Sequence, residues 1–162
     1  MAKSGPAPII AFHGSPDATI TTFEPLAHFG SQAAARARAG ASSKGEGPVT
    51  VYEVALTMAH PARIKDLPST GPRPAVHSLL RLIDQLHYER RPALLSADER
   101  ARVFAAAAPS GRNSAAGMAI FADILEAHGF DSLCYTNQFE DPGSVSWIIL
   151  RSHQAKIIVR RP

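Results

Sequence analysis

Gly129-Phe130-Asp131-Ser132-Leu133-Cys134-Tyr135-Thr136 is the stretch whose reading decides the fold class. Gly129 closes an apolar run with helical spacing, and the residues after it mix aromatic, aliphatic and small polar types as a strand does. Two more strand-like runs follow, Ser144–Leu150 and Lys156–Val159, separated by Asp141-Pro142-Gly143 and by Arg151-Ser152-His153-Gln154. The last third of the chain is therefore read as strands joined by short turns.

Upstream of Gly129 the periodicity is helical. Val76, Leu79, Leu80, Ile83 and Leu86 fall on one helix face, with Pro74 at the first helical position and Pro92 as the interruption. Ser96-Ala97-Asp98-Glu99 is a capping-box pattern that opens a second helix through Val103 and Phe104 to Ala108, stopped by Pro109 and Gly111. A third helix from Ser114 carries Met118, Phe121, Ile124 and Leu125 on one side and ends at His128-Gly129. Before this block lie a short apolar strand, Ile9–His13, a short extended piece at His28-Phe29-Gly30, and a helix from Gln32 to Ala39. Ser31 is its N-cap and Gly40 its expected stop. Ala41–Pro48 reads as a Gly/Ser-rich loop, Val49–Met58 as a strand, and the prolines at 61, 68, 72 and 74 keep the following segment a loop. Strands, then helices, then strands predict an α+β fold with a helical block between N- and C-terminal strands. The predicted division is a flexible N-terminal tail, residues 1–8, and a single domain over 9–162.

Composition excludes several classes. With 45% hydrophobic and 19% charged residues in 162, the chain can bury a core and is not a disordered polymer. Its net charge of +3 is carried by 17 scattered Lys and Arg with no basic stripe, which disfavours a nucleic-acid partner. Cys134 is the single cysteine, so no intramolecular disulfide or cysteine zinc site is expected. His60, His77, His87, His128 and His153 lack metal-ligand spacing and read as structural or exposed, and no metal site is expected. The start has no apolar signal core and no run reaches membrane-spanning length, giving the expectation of a cytoplasmic protein, or one secreted into a host cell without a Sec-type signal, with no membrane partner. A glycine-rich dinucleotide or P-loop fingerprint is also missing.

Two short motifs carry the functional reading. Ile10-Ala11-Phe12-His13-Gly14-Ser15 and His28-Phe29-Gly30-Ser31 each set a glycine beside polar side chains at the end of an apolar run, a pattern that brings bare backbone close to a polar ligand.

Together with Gly129-Phe130-Asp131 through Tyr135-Thr136-Asn137-Gln138-Phe139-Glu140, Trp147-Ile148-Ile149 and Gln154-Ala155-Lys156-Ile157, these motifs resemble the ADP-ribosyltransferase fold with its split β-sheet core. The likeness is to small bacterial and phage-borne members, including those of polyvalent proteins, and more distantly to the diphtheria toxin and poly(ADP-ribose) polymerase class with its His, Tyr and Glu signature. The resemblance implies cleavage of the nicotinamide glycosidic bond of NAD, the co-substrate, and transfer of ADP-ribose to a macromolecular acceptor, a protein rather than a nucleic acid. It implies a transferase acting as a toxin or effector.

By the same resemblance His13 would hydrogen-bond an NAD ribose hydroxyl, Gly14 would clasp the nicotinamide amide through its backbone, and Ser15 would brace that strand end. Phe29, with Gly30 and Ser31 opening the helix, would set an aromatic ring against nicotinamide, and Glu140 would be the catalytic acid residue. Loss of neutral nicotinamide leaves an oxocarbenium-like centre that a fixed carboxylate stabilises. Phe29 stands where the toxin and polymerase members often carry Tyr, leaving Tyr52 and Tyr135 as alternative stacking rings. Asp141 and Glu53 are the alternative acids. Arg36 and Arg38 read as a solvated helix face or as pyrophosphate contacts, and Asn137 as an Asx-turn residue. The same pocket with water as acceptor would make an NAD glycohydrolase, and a degenerate relative would bind a nucleotide or protein without turnover.

Overall fold

The computed structural model describes residues 7–43, 47–66, 78–108 and 114–162. Among these, two small sheets and four α-helices form an α+β arrangement. The first sheet contains β1 (Ile9–Ser15), β3 (Thr50–Leu56) and β7 (Ala155–Arg161) in the order β1-β3-β7, all antiparallel. The second runs β2-β6-β5-β4, with β2 (His28–Phe29), β6 (Val145–Ile149), β5 (Ser132–Thr136) and β4 (Pro61–Arg63). Its β4–β5 pair is parallel and the others antiparallel. Chain order and sheet order are thus interleaved: the C-terminal β5 and β6 build one sheet while β7 crosses back to the other.

Among the described residues, one isolated bridge joins the two sheets. The Phe12 and Gly30 amides each donate to the other's carbonyl at 2.9 Å, and the pairing goes no further. Past that bridge β1 and β2 part, so a cleft opens between the ends of the two strands that carry the N-terminal motifs.

Each helix begins where its capping chemistry dictates. Helix α1 (Gln32–Ser42) is capped by Ser31 Oγ, which accepts from the Ala34 amide at 3.0 Å. Helix α3 (Ala97–Ala107) has both halves of the capping box, the Glu99 amide to Ser96 Oγ at 3.2 Å and the Ser96 amide to Glu99 Oε2 at 2.8 Å. Helix α4 (Ala115–Ala127) is capped by Ser114, and Gly129 follows in the left-handed region at φ 84°. Helix α2 (Leu79–Asp84) passes into a π-helical turn, Gln85–Glu89. One expected boundary moves: α1 runs through Gly40 to Ser42, because Gly40 keeps a helical backbone instead of the left-handed one that ends a helix. The proline-bearing segment 61–74 contains the short strand β4, paired with β5. The expected tail up to residue 6, the helix start around Pro74 and Val76, and the stop at Pro109 and Gly111 lie outside the described residues.

The apolar periodicity becomes two buried clusters. Leu79, Leu82 and Ile83 of α2, Val103 of α3, and Phe121 and Leu125 of α4 pack onto Leu133 of β5 and Ile148 of β6. Phe23, Phe29, Tyr52, Val54, Leu56 and Ile149 form the second cluster, which ties β1 and β3 to β2 and β6. Each fully buried aliphatic or aromatic side chain contributes about 1.5–3 kcal/mol. Helix α1 covers β1 so closely that a Cβ on Gly14 would lie 1.9 Å from the Ala35 carbonyl oxygen. No helix among the described residues is long and apolar enough to cross a membrane.

Candidate functional site

The cleft at the parted ends of β1 and β2 draws on the N- and C-terminal parts of the chain. Phe12 and Gly14 come from β1, His28, Phe29 and Gly30 from β2, and Ala34, Ala35 and Arg38 from α1. Tyr135 and Ser146 come from β5 and β6, and Asn137 and Glu140 from the turn between those strands. It is narrow, with an enclosed volume of about 10 Å³. Residues more than 100 positions apart are brought together because β6 pairs with β2, His28 opposite Ile148 and Phe29 opposite Trp147, placing the β5–β6 turn over the start of α1.

Glu140 is the carboxylate of this cleft. Its side chain is 12% exposed; Oε1 accepts from Arg38 Nη2 at 2.9 Å, and Oε2 is buried with no hydrogen-bond partner. The other two carboxylates lie elsewhere. Asp141 accepts from Ser31 Oγ at 2.5 Å beside the start of α1, and Glu53 pairs with Arg161 at 2.7 Å on the first sheet.

Asn137 adds a second unpaired acceptor. Ser144 Oγ donates to the Asp141 carbonyl at 2.8 Å, so toward Asn137 it can only accept, and Asn137 Nδ2 donates to it at 2.9 Å and to Ser146 Oγ at 2.8 Å. That orientation leaves Asn137 Oδ1 buried without a donor. The residue shapes its turn, as an Asx reading expects, and lines the cleft as well. Buried acceptors are normally paired, and Glu140 and Asn137 each carry one side-chain oxygen that is not.

The backbone of Gly14 faces the same opening. Phe12 points its N–H and C=O at Gly30, and strand alternation points those of Gly14 the same way, beyond the end of the bridge. The His28 carbonyl that would continue the ladder instead accepts from His13 Nδ1 at 2.8 Å. Only glycine fits at both positions: a Cβ on Gly14 would strike the Ala35 carbonyl, and one on Gly30 would lie 2.5 Å from Ser146 Oγ.

His13 sits behind this wall and does not line the cleft. Its ring packs against Phe23 and Phe29, with centroids 4.9 and 5.6 Å away, and burial holds its pKa below the usual 6.5. The bond to His28 occupies Nδ1–H, so the neutral ring keeps Nε2 as an acceptor. Ser15 is buried and its Oγ accepts from the Asp17 amide at 3.0 Å, a turn-bracing role. Ser31 caps α1 and holds Asp141.

Of the three aromatic candidates, Phe29 and Tyr135 line the cleft, and both are almost wholly buried. Tyr52 lies beneath His13 with its hydroxyl donating to the Asp17 carbonyl at 2.7 Å. Burial pushes the Tyr135 phenol up to about 12, so it keeps its proton at neutral pH. Its oxygen accepts from Arg38 Nη2 at 3.2 Å and hydrogen-bonds His28 Nδ1 at 3.0 Å.

Arg36 is exposed, whereas Arg38, two positions on, turns into the cleft. Ser146 is a site residue that pattern alone did not single out, His28 entered only as part of the second glycine motif, and Arg38 only as a solvated helix face or pyrophosphate contact. A signal for Arg38 was present in the helical spacing: Ala34, Ala35 and Arg38 share one face of α1, and the small side chains of the first two let that face approach β1. No group of three or more metal-ligating side chains occurs among the described residues.

Comparison with known protein families, with curated proteins and with solved structures gives no match.

Proposed function

We propose that this protein is an NAD-dependent ADP-ribosyltransferase with the split-sheet fold of that family, and that the cleft takes the nicotinamide–ribose end of NAD. The observation that carries the reading is that Glu140 and Asn137, each with a buried unpaired side-chain oxygen, line one cleft with Gly14, Phe29 and Tyr135. Unpaired acceptors call for hydroxyl or amide donors, the Gly14 N–H and C=O suit a carboxamide, and the aromatic walls suit a flat ring.

In this mechanism the bond from ribose C1′ to the nicotinamide ring nitrogen breaks, and its electron pair leaves with neutral nicotinamide. Positive charge develops on C1′ and the ring oxygen, and the Glu140 carboxylate, paired with Arg38 and shielded from water, stabilises it while accepting a hydrogen bond from the ribose 2′-OH. An acceptor nucleophile then bonds C1′ and gives its proton to solvent. His13 supports the wall by holding the His28 carbonyl out of the way of Gly14.

Incubation with labelled NAD and a cell lysate, read by mass spectrometry, tests the proposal. Labelled macromolecules and released nicotinamide are expected from the wild type, and Glu140→Gln should lower turnover by about 10²–10³-fold with NAD binding changed only a few-fold. Free ADP-ribose without any labelled acceptor would make the protein a glycohydrolase. Binding without nicotinamide release would make it a non-catalytic relative, and unchanged turnover in Glu140→Gln would remove Glu140 from the acid role.

A further inference from the structure

Arg38 ties together three elements at the cleft. One guanidinium nitrogen, Nη2, donates to Glu140 Oε1 at 2.9 Å and to the Tyr135 hydroxyl at 3.2 Å, and that hydroxyl in turn bonds His28 Nδ1 at 3.0 Å. The chain of contacts runs from the β5–β6 turn through α1 to β5 and β2, and its members are largely shielded: Arg38 is 29% exposed at the side chain, Glu140 12%, and Tyr135 is buried. A glutamate side chain has three rotatable torsions, which a polar contact at its carboxylate can hold. The polar contact described for the carboxylate is the one with Arg38. By holding Oε1 it commits the other oxygen, Oε2, to be the unpaired one.

We infer that Arg38, anchored by Tyr135, is a positioning residue for Glu140: it selects which carboxylate oxygen is offered to the ligand and holds it there, and does not itself bind the dinucleotide. The inference rests on the NAD-cleaving reading for its kinetic consequence only, since the geometry it asserts exists without substrate. A displacement of about 1 Å at a reacting centre costs about 10²-fold in rate. Arg38→Gln should therefore lower kcat by about 10²-fold with KM within about threefold of wild type. Arg38→Lys, which keeps the charge but reaches with a single ammonium, should recover about tenfold of that loss. Tyr135→Phe, which removes the anchor and leaves both charges in place, should lower kcat by about tenfold.

Steady-state nicotinamide release from the full chain, with kcat and KM separated, is one arm of the test; crystal structures of wild type, Arg38→Gln and Tyr135→Phe are the other. Expected is a Glu140 carboxylate that leaves its place in Arg38→Gln and spreads over several conformers in Tyr135→Phe, with the turn backbone unmoved. A raised KM with unchanged kcat would make Arg38 a ligand contact and overturn the inference. So would a carboxylate that keeps its orientation in both variants. If Arg38→Gln does not accumulate folded, Tyr135→Phe carries both arms alone, and wild-type kcat with an ordered carboxylate there overturns the inference. A wild type that releases no nicotinamide defeats the transferase reading, while the crystallographic arm still decides this one.

Discussion

Replacing Gly14 by alanine tests the closest contact in the fold. The added Cβ would lie 1.9 Å from the Ala35 carbonyl oxygen, 2.6 Å from the Ala35 carbonyl carbon and 2.9 Å from Ala39 Cβ. Ordinary contact begins at about 3.4 Å, so α1 must retreat from β1 by about 1.5 Å, and the nearest atoms are helix backbone that cannot swing aside. Overpacking of this kind costs about 1–3 kcal/mol, and with a rigid helix as the obstacle the expected loss is about 3 kcal/mol. In a chain of this size that is a fall of roughly 6–12 °C in Tm. Urea denaturation followed by circular dichroism reads it as a lower midpoint with an unchanged slope. Gly40→Ala is the control on the same helix: nothing lies within 4 Å of the added methyl, so removing a mid-helix glycine should raise stability by about 0.5–1 kcal/mol. A loss below about 1 kcal/mol in Gly14→Ala, or a loss of any size in Gly40→Ala, would refute the reasoning about how α1 seats on β1.

Two further outcomes follow from burial. Because burial lowers the His13 pKa, below about 6.5 the unfolded chain takes up a proton there that the folded chain resists. That contribution to stability is whole at neutral pH and is lost as pH falls, so between about pH 7.5 and 5 the wild type should lose more stability than His13→Gln; parallel denaturation profiles would refute it. Burial also pushes the Cys134 thiol up, so a disulfide reagent at neutral pH should label it slowly in the folded protein and fast in urea, and fast labelling of the native chain would contradict its place inside β5.

The local content of the fold is legible in the sequence where local chemistry decides it. Ser31, Ser96 and Ser114 start their helices through bonds to amides three residues on, an interaction complete within one turn. The strands at 50–56, 132–136 and 145–149 follow from alternation and bounding turns. Gly40 misleads because a glycine ends a helix only when its backbone turns left-handed, and α1 packed on β1 keeps it helical. Within the site, Gly14, Phe29, Gly30 and Glu140 are legible as residue types in motifs and do meet in one cleft, while His13 and Ser15 stand behind it.

What the sequence alone determined is the order of elements apart from the short strand β4, the caps, the two glycine motifs and a carboxylate before a Pro-Gly turn, all of them set by interactions spanning a few residues. Which carboxylate enters the cleft, and that Arg38 and His28 enter it with Tyr135, were decided only by tertiary structure. Side chains 97 to 107 positions apart meet there because β6 pairs with β2 and α1 lies against β1. Hydrogen bonds across such separations depend on strand register and helix seating, and no local pattern encodes either of them.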